Sequence, residues 1–291
     1  MFTTGINRTI SVGVIGNGFV GKATNLLKCD KIDIITYDIV PGLCSPLGLT
    51  IHDIVKCDII FISVPTPMNK DGSCYLGMVE SAIGEISKRV NMDEALVVLR
   101  STVPVGTCDR LNCYFMPEFL TEKNFEHDFI ENPNWIFGLK GTEQDNLFKE
   151  KISNLINTSN LSDKIKHNTC TFVTNNEAEM IKMFRNNYLA VKVSFCNEME
   201  EFCRKKDIEY ENVRKLAVLD DRIGQSHTVV PGHDGSRGYG GTCFPKDTNN
   251  LKCEMEKINM KSYIINAAVT RNEEVDRPEK DWNSNQGRAV V

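Results

Sequence analysis

The stretch "TISVGVIGNGFVGKATNLLK", residues 9–28, decides the fold. Its apolar run ends in glycines and is followed by a helical pattern, which is typical of a buried strand that turns tightly into a helix. Gly16, Gly18 and Gly21 have the spacing G-x-G-x-x-G. Glycines in such a turn let the backbone approach a pyrophosphate, which then lies at the positive end of the helix. The stretch therefore predicts a nucleotide-binding strand, turn and helix.

An acidic residue strengthens this interpretation. Asp38 closes the next predicted strand, 22 positions after Gly16, where a carboxylate accepts hydrogen bonds from an adenosine ribose. Because a carboxylate would repel a 2′-phosphate, Asp38 favours NAD over NADP. The alternative is a structural glycine turn with an incidental aspartate.

Further strands follow at regular intervals, with helical stretches between most of them. Strands that alternate with helices predict an α/β fold, a Rossmann-like doubly wound parallel sheet covered on both faces. The additional strands are predicted at residues 33–38, 57–65, 95–101, 113–117, 135–139 and 170–174.

The pattern changes after residue 175. Apolar residues at three- and four-residue spacing predict one long helix over 175–206, with acidic residues near its start and basic ones at its end. Shorter helices are predicted at 209–219 and 262–276, separated by a glycine-rich loop, and the polar stretch from Asp276 onward is expected to be a surface tail. We therefore expect two domains: a nucleotide-binding domain, 1–175, and a helical dimerisation and substrate region, 176–291.

The length and composition indicate a globular protein. Of 291 residues, 41% are hydrophobic and 25% charged, with a net charge of −5, which argues against disorder and against a nucleic-acid partner. No apolar run suits a membrane span and no signal peptide is apparent, so a cytoplasmic protein without a membrane partner is expected. The eleven cysteines form no CxxC pair, so no metal is expected.

Polar residues follow two of the predicted strands. Thr66 lies in "VPTP" (64–67), and Ser101 and Thr102 begin "STVPVGT" (101–107). In an open parallel sheet, loops beyond the carboxyl ends of strands line the ligand crevice. These residues are therefore candidates to face the cofactor, although strand-ending turns alone would also explain them.

Two pairs of charged or polar residues are candidates for chemistry. Glu118 and Glu122 in "MPEFLTE" could act as bases or bind sugar, and Lys182 and Asn186, four apart, share one face of the long helix. The alternative for each pair is a solvated surface position.

The motif "GYGGTCFPKD" (238–247) contains the one cysteine whose surroundings suggest reactivity. A nucleophilic cysteine acts as a thiolate, which cationic neighbours or helix amides favour. Lys246 and the start of a following helix would supply both to Cys243, and Asp247 could orient a lysine or a water. Most of the other cysteines are expected to be small buried apolar residues.

Seven motifs in order resemble those of the UDP-glucose/GDP-mannose dehydrogenase family, over residues 10–278. Members of this family use two NAD to oxidise the C6 alcohol of a nucleotide sugar to a carboxylate through an enzyme thioester. The resemblance therefore implies NAD as cofactor, a sugar nucleotide substrate, UDP-glucose first, and UDP-glucuronate as product. The motifs are "VIGNGFVG", "SVPTP", "STVPVGT", "PEFLTE", "AEMIKMFRNNYLA", "DDRIG" and "GYGGTCFPKD".

The resemblance also implies roles for individual residues. Cys243 is the implied nucleophile, forming first a thiohemiacetal and then the thioester, and Glu118 is implied to assist hydrolysis. The first oxidation, from alcohol to aldehyde, is implied to use Lys182, Asn186, and a water held by Thr102 and Asp247.

The family's binding positions map onto three regions of this chain. The glycine loop 234–241 is implied to hold the sugar nucleotide, with glycines letting backbone amides reach the ligand. Arg222 matches an arginine that reaches the neighbouring subunit's substrate site in family dimers, so a homodimer through the central helices is expected. The implied cofactor residues are Gly16, Asn17, Gly18, Phe19, Val20, Gly21, Asp38, Val64, Pro65, Thr66, Pro67, Met68, Ser101, Thr102, Glu122 and Lys246. The implied substrate residues are Glu118, Phe119, Leu120, Thr121, Glu122, Lys182, Asn186, Arg222, Tyr239 and Gly240.

The chain departs from the family pattern in several places. Lys123 stands where the family usually has glycine, and Trp135 where it usually has arginine. Most members continue into a second Rossmann-like domain that helps bind the nucleotide, and this chain is expected to lack it. Two alternatives stay open: a dehydrogenase of another sugar nucleotide, such as GDP-mannose or a UDP-N-acetylhexosamine, and a catalytically weak dimer that binds NAD or sugar nucleotide.

Overall fold

A computed structural model describes residues 9–291. The chain forms two compact units. The described part of the first unit comprises residues 9–65 and 76–182, and the second comprises residues 66–75 and 183–291. The proposed domain boundary after residue 175 stays a prediction.

The first unit contains a seven-stranded sheet. This arrangement confirms the predicted α/β class, and every predicted strand is present with bounds shifted by at most a few residues. The strands are β1 (Ile10–Ile15), β2 (Ile32–Tyr37), β3 (Ile59–Ile62), β4 (Val97–Leu99), β5 (Tyr114–Phe115), β6 (Trp135–Leu139) and β7 (Cys170–Thr174). Their order across the sheet is β2-β1-β3-β4-β5-β6-β7.

One strand pair differs from the prediction of a wholly parallel sheet. β5 and β6 are antiparallel, with Phe115 opposite Gly138, whereas all the other neighbouring pairs are parallel. An antiparallel partner begins at the end of the sheet where the preceding strand stops. The connection 116–134 therefore starts and returns at the carboxyl edge of β5, and it carries the PEFLTE motif there.

Alternating strand residues fill two separate apolar cores, one on each face of the sheet. Val12, Val14 and Phe61 belong to one core, while Ile60 and Ile62 belong to the other. Because successive side chains of a strand point to opposite faces, a strand covered on both sides is apolar throughout. This requirement explains the unbroken apolar runs from which the strands were predicted.

Ten α-helices connect or follow the strands in the described residues. The longest, α7, has 31 residues and follows β7 directly, as the sequence predicted, and the boundary between the two units falls within it, after Lys182. The helices are α1 (Phe19–Asn25), α2 (Ile51–Ile54), α3 (Gly77–Ser87), α4 (Thr107–Arg110), α5 (Phe125–Ile130), α6 (Asp145–Leu161), α7 (Asn175–Lys205), α8 (Tyr210–Ala217), α9 (Phe244–Lys257) and α10 (Tyr263–Arg271).

The end of the second unit contradicts the expected surface tail. A π-helical turn, Asn272–Asp276, extends α10, and beyond it Trp282 and Ala289 are almost completely buried. The backbone of Met68 donates to Ala289 O at 2.8 Å and accepts from Val291 N at 3.0 Å. The sequence prediction missed this burial because the stretch is polar in composition. The buried Trp282 indole and the two hydrogen bonds to Met68 attach the segment to its own unit.

In the part of the chain that the structure describes, no helix combines the length and apolar character needed to cross a bilayer.

Candidate functional site

The glycine turn after β1 has the shape that a dinucleotide requires. Gly16 has a φ of +93°, and a methyl group on it would lie 2.6 Å from Ser63 O. A methyl group on Gly21 would lie 1.9 Å from Gly16 O, so the turn closes only with glycine at both positions. Gly18, at the start of α1, instead faces open space, with no atom within 4 Å of such a methyl group. That opening is where a pyrophosphate would approach the backbone.

The Asp38 carboxylate is held at the end of β2. Its Oδ2 accepts from Asn17 N at 2.8 Å and its Oδ1 accepts from Val40 N at 2.9 Å. The Asn17 side chain in turn donates to Leu43 O at 2.7 Å. Each carboxylate oxygen retains acceptor capacity for a ribose hydroxyl. The residues present therefore fit NAD at this end of the first unit.

The loops after β3 and β4 are joined by one short hydrogen bond. The Ser101 hydroxyl donates to Val64 O at 2.6 Å, and both Ser101 and Thr102 are buried. The other predicted residues of the first loop are divided between the units: Pro65 belongs to the first, and Thr66 and Pro67 belong to the second.

A buried ion pair joins the PEFLTE motif to α7 within the first unit. Lys182 Nζ donates to Glu118 Oε1 at 2.7 Å and to Glu118 O at 2.7 Å, and the two side chains are 4% and 7% exposed. Glu118 Oε2 also accepts from Leu120 N at 2.9 Å. Lys182 Nζ lies 5.8 Å from the centre of the Phe119 ring. The sequence proposed Glu118 and Lys182 separately, and the structure pairs them.

The remaining residues of that motif lie nearer the solvent. Thr121 is exposed, and its backbone N and hydroxyl both donate to Asp128 Oδ2. Glu122 is also exposed.

Trp135, noted as a departure from the family, is fully buried and donates from Nε1 to His167 O at 2.7 Å. Trp135 therefore belongs to the core of the sheet.

Cys243 lies at the start of α9 in the second unit, as the motif predicted. It is half-buried and is the N-cap residue of the helix, with Pro245 in the first turn. The Thr242 hydroxyl lies 3.8 Å from Cys243 Sγ. The unpaired amides and positive dipole of a helix start stabilise negative charge, including that of a thiolate.

Asp247 connects α9 to α7 through its buried carboxylate. Oδ1 accepts from Lys246 Nζ at 2.7 Å and Oδ2 accepts from Asn186 Nδ2 at 2.6 Å, with Asp247 only 1% exposed. Asn187 Nδ2 adds a hydrogen bond to Asp247 O at 3.3 Å. The predicted residues Asn186, Lys246 and Asp247 therefore form one hydrogen-bonded group at the helix start that begins with Cys243.

The electrostatics of this group keep Lys246 charged. Burial opposes the charged ammonium, but the negative charges of Asp247 and Cys243 outweigh burial and place the pKa of Lys246 above its usual range. A lysine that stays protonated through neutral pH is the cationic neighbour that a reactive thiol requires.

The glycine loop before Cys243 is held by side chains that sequence reasoning missed. Gly238 N donates to Asn197 Oδ1 at 3.1 Å, and Tyr239 N donates to Asn272 Oδ1 at 2.8 Å. These two amides are therefore engaged within the protein, whereas the sequence interpretation had left the loop amides to the ligand. Gly241, with a φ of +72°, has no atom within 4 Å of the point where a methyl group would lie, so it remains open.

Close packing explains two of the loop glycines. A methyl group on Gly238 would lie 2.3 Å from Asn272 Oδ1, and one on Gly240 would lie 2.2 Å from a guanidinium nitrogen of Arg277. Asn272 and Arg277 are 1% and 2% exposed. No spacing or motif identifies them from sequence, since they follow the cysteine by about thirty residues in a polar stretch.

The two other predicted substrate residues have different surroundings. Tyr239 is buried, and its ring packs edge-on against the ring of Phe244, with the two ring centroids 6.1 Å apart. The Arg222 side chain is 90% exposed and pairs with Asp220 of its own loop at 2.5 Å. Among residues 9–291, no group of three or more His, Cys, Asp or Glu side chains is placed to hold a metal ion.

Two family models match the chain in order. Residues 49–158 match the NAD binding domain of the UDP-glucose/GDP-mannose dehydrogenase family, and residues 176–274 match its central domain. The chain belongs to this family. Its cofactor is NAD, since strands β3 to β6 lie within the match to the family's NAD binding domain, and the glycine turn and Asp38 that precede the matched residues fit a dinucleotide.

Individual family members resemble the chain over most of its length. The UDP-glucose 6-dehydrogenase of Rickettsia typhi is 30% identical over 232 residues, 76% of this chain and 50% of that protein. The UDP-glucose 6-dehydrogenase YwqF of Bacillus subtilis is 30% identical over 285 residues, 83% of this chain and 61% of that protein. A UDP-glucose dehydrogenase structure from Pyrobaculum islandicum matches with a TM-score of 0.77 and 25% identity, covering 94% of this chain and 70% of that one. The chain spans about half the length of the first of these relatives.

The glycine turn of this family member yields a test of its cofactor site. Gly18→Ala should leave the fold unchanged, because the methyl group meets no atom, but should raise the Kd for NAD at least about tenfold, or ~1.4 kcal/mol, by blocking the pyrophosphate. Gly21→Ala should impair folding as well, because its methyl group clashes with backbone. Gly84→Ala, in the middle of α3 where an added methyl group meets no atom, is the control and should leave NAD affinity unchanged. Calorimetric titration with NAD and thermal unfolding measure both effects, and unchanged NAD affinity in Gly18→Ala would contradict the assignment.

The Glu118–Lys182 pair yields a test of stability. Lys182→Met leaves a buried carboxylate without its cation, which should lower the free energy of unfolding by about 3–5 kcal/mol. Lys28→Met removes an ion pair whose side chains are 55% and 59% exposed, and should cost less than about 1 kcal/mol. Urea denaturation of both variants compares the two costs. Equal losses in the free energy of unfolding would show that the buried Glu118–Lys182 pair stabilises the fold no more than an exposed ion pair.

Proposed function

We propose that the chain oxidises the C6 alcohol of UDP-glucose to the carboxylate of UDP-glucuronate, using two NAD and a thioester on Cys243. The observation that carries the proposal is the group at the start of α9, where Cys243 adjoins a protonated Lys246 and a buried Asp247. Relatives that are 30% identical and named UDP-glucose 6-dehydrogenase support UDP-glucose as the substrate.

The overall reaction sets what the side chains must do. One alcohol, two NAD⁺ and one water give one carboxylate, two NADH and three protons. NAD, when bound, accepts the hydride in each of the two oxidations. The chain must therefore remove protons, stabilise an alkoxide, hold the aldehyde and hydrolyse the final acyl group.

Asp247 is suited to remove the proton in the first oxidation. Lys246 and Asn186 each donate to one of its oxygens, which orients the buried carboxylate. A carboxylate so placed is proposed to accept the proton of the sugar alcohol, directly or through a water. Lys182 and Asn186 are the proposed donors to the developing alkoxide.

Cys243 is the proposed nucleophile of the second oxidation. Its thiolate attacks the aldehyde carbon, a C–S bond forms, the C=O π bond breaks, and the oxygen takes a proton to give a thiohemiacetal. Loss of a hydride and a proton converts the thiohemiacetal to a thioester. Water then breaks the C–S bond and releases the carboxylate and the thiol. Glu118, paired with Lys182, is the proposed base for that water.

A cysteine pair on one helix allows a matched experiment. Cys243→Ser should lose at least about 10³-fold in the rate of acid formation, because the thioester cannot form. Cys253→Ser, ten positions later on α9, should retain it. Absorbance of NADH and mass spectrometry of the sugar product give the stoichiometry, expected to be two NADH per acid.

The same assay separates the alternatives. Full acid formation by Cys243→Ser would overturn the thioester mechanism. UDP-glucose that binds without producing NADH, at high enzyme concentration, would favour a binding protein. GDP-mannose and UDP-N-acetylhexosamines, tested alongside, would identify another preferred sugar nucleotide.

We also propose that two copies associate through α7. Four aromatic side chains, at positions 184, 188, 195 and 202, recur at helical spacing and are 54–62% exposed. Phe184 and Tyr188 stack with an interplanar angle of 5°. A row of exposed aromatics marks a protein contact, and a second copy supplies a complementary row.

Arg222, strongly exposed, is proposed to reach the partner's substrate. The dimer is proposed to be cytoplasmic, since its eleven cysteines suit a reducing compartment.

The dimer proposal predicts the effect of charge on this row. Phe195→Glu should shift the protein from dimer to monomer, because the carboxylate would be desolvated in the contact. Leu161→Glu, 84% exposed at the end of α6, is the control and should not change the mass. Sedimentation equilibrium distinguishes the two, and a wild-type monomer would contradict the proposal.

A further inference from the structure

We propose that Asn272 is a positioning residue for Cys243, holding the loop that leads into it. The inference rests on the proposed function, in which Cys243 is the nucleophile. Asn272 does not belong to any motif that identified the site, and it acts through the backbone of Tyr239.

The side-chain amide of Asn272 holds both polar groups of one backbone position. Tyr239 N donates to Asn272 Oδ1 at 2.8 Å, and Asn272 Nδ2 donates to Tyr239 O at 2.9 Å. Asn272 is 1% exposed and Tyr239 is 4% exposed, so no water competes for these groups. The pair therefore fixes the position and direction of the chain four residues before Cys243.

The neighbouring loop positions are held from other elements of the second unit. Gly238 N donates to Asn197 Oδ1 of α7, and Arg277 Nε donates to Arg237 O at 2.9 Å. Gly238 packs against Asn272 so closely that a methyl group would clash at 2.3 Å. Three consecutive residues, Arg237, Gly238 and Tyr239, are thus anchored before the open Gly241. Asn272 is distinguished because its side chain holds both the N–H and the C=O of one backbone position.

The place of Asn272 in its helix also sets it apart. It begins the π-helical turn Asn272–Asp276 that extends α10. Single π turns inside or after α-helices occur frequently at functional sites, because they redirect side chains that regular helix geometry would place elsewhere. Here the turn directs a buried amide at the loop, and the following Asp276 pairs with Arg271 and Arg237.

Anchoring the loop affects the chemistry because the reactivity of Cys243 depends on the distance of its sulfur from nearby charges and from the substrate. In the proposed function, Lys246 and the start of α9 favour the Cys243 thiolate, and both effects weaken as the sulfur moves away. A displacement of about 1 Å in a reacting group costs on the order of 10²-fold in rate. Loss of the Tyr239 anchor should therefore weaken thiolate formation without removing any group that touches the substrate.

The test is the pH dependence of Cys243 alkylation by iodoacetamide. Trypsin separates Cys243 and Cys253 into different peptides, since cleavage follows Arg237, Lys246, Lys252 and Lys257, so mass spectrometry follows both thiols in one sample. In the wild-type protein, Cys243 should react at lower pH than Cys253. Asn272→Ala should move the midpoint for Cys243 upward by about one pH unit and leave that of Cys253 unchanged.

Asn175→Ala is the matched control. Asn175 is another fully buried asparagine, which donates to Asp109 and to Cys113 O in the first unit, so its loss should lower stability without moving the Cys243 midpoint. If Asn272→Ala does not fold, Asn272→Leu removes both hydrogen bonds while keeping the volume, and the same upward shift is expected.

The outcomes distinguish the two proposals. A folded Asn272 variant with the wild-type Cys243 midpoint, or an equal shift in Asn175→Ala, would overturn the positioning role and leave the proposed function standing. Equal reactivity of Cys243 and Cys253 in the wild-type protein would instead count against the nucleophile itself.

Discussion

The burial of Asp247 is the constraint on which the second unit depends. A carboxylate that is 1% exposed must be paired and hydrogen-bonded, and Lys246 and Asn186 satisfy its two oxygens. The same contacts join α9 to α7 and orient Lys246, which lies three positions after Cys243. One buried carboxylate therefore links the contact between the two helices to the charged groups in the first turn of α9.

Glycines have two different functions in this chain. Gly16 and Gly21 close a turn that no side chain could enter, while Gly18 faces open space. Gly238 and Gly240 instead let Asn272 and Arg277 approach the loop backbone. The motif preceding Cys243 is thus rich in glycine partly because it packs against its own unit, and Gly241 remains the open position.

Local pattern predicted much of the fold and of the candidate site. The apolar runs of β3 and β4 predicted their strands because burial on both faces leaves no polar position, and the periodicity of α7 predicted its full length. The antiparallel pairing of β5 and β6 was missed, because strand direction depends on the route of the connection. The burial of Trp282 was missed because its neighbours are polar.

The sequence by itself determined the glycine turn, the Asp38 position, the long helix and the cysteine at a helix start, since each depends on residues close together in the chain. Only the tertiary structure decided which polar groups pair. Glu118 and Lys182 are 64 positions apart, Asn186 and Asp247 are 61 apart, and Tyr239 and Asn272 are 33 apart. Buried polar groups must find partners, but spacing along the chain does not say which, because folding alone brings such distant residues within hydrogen-bond distance.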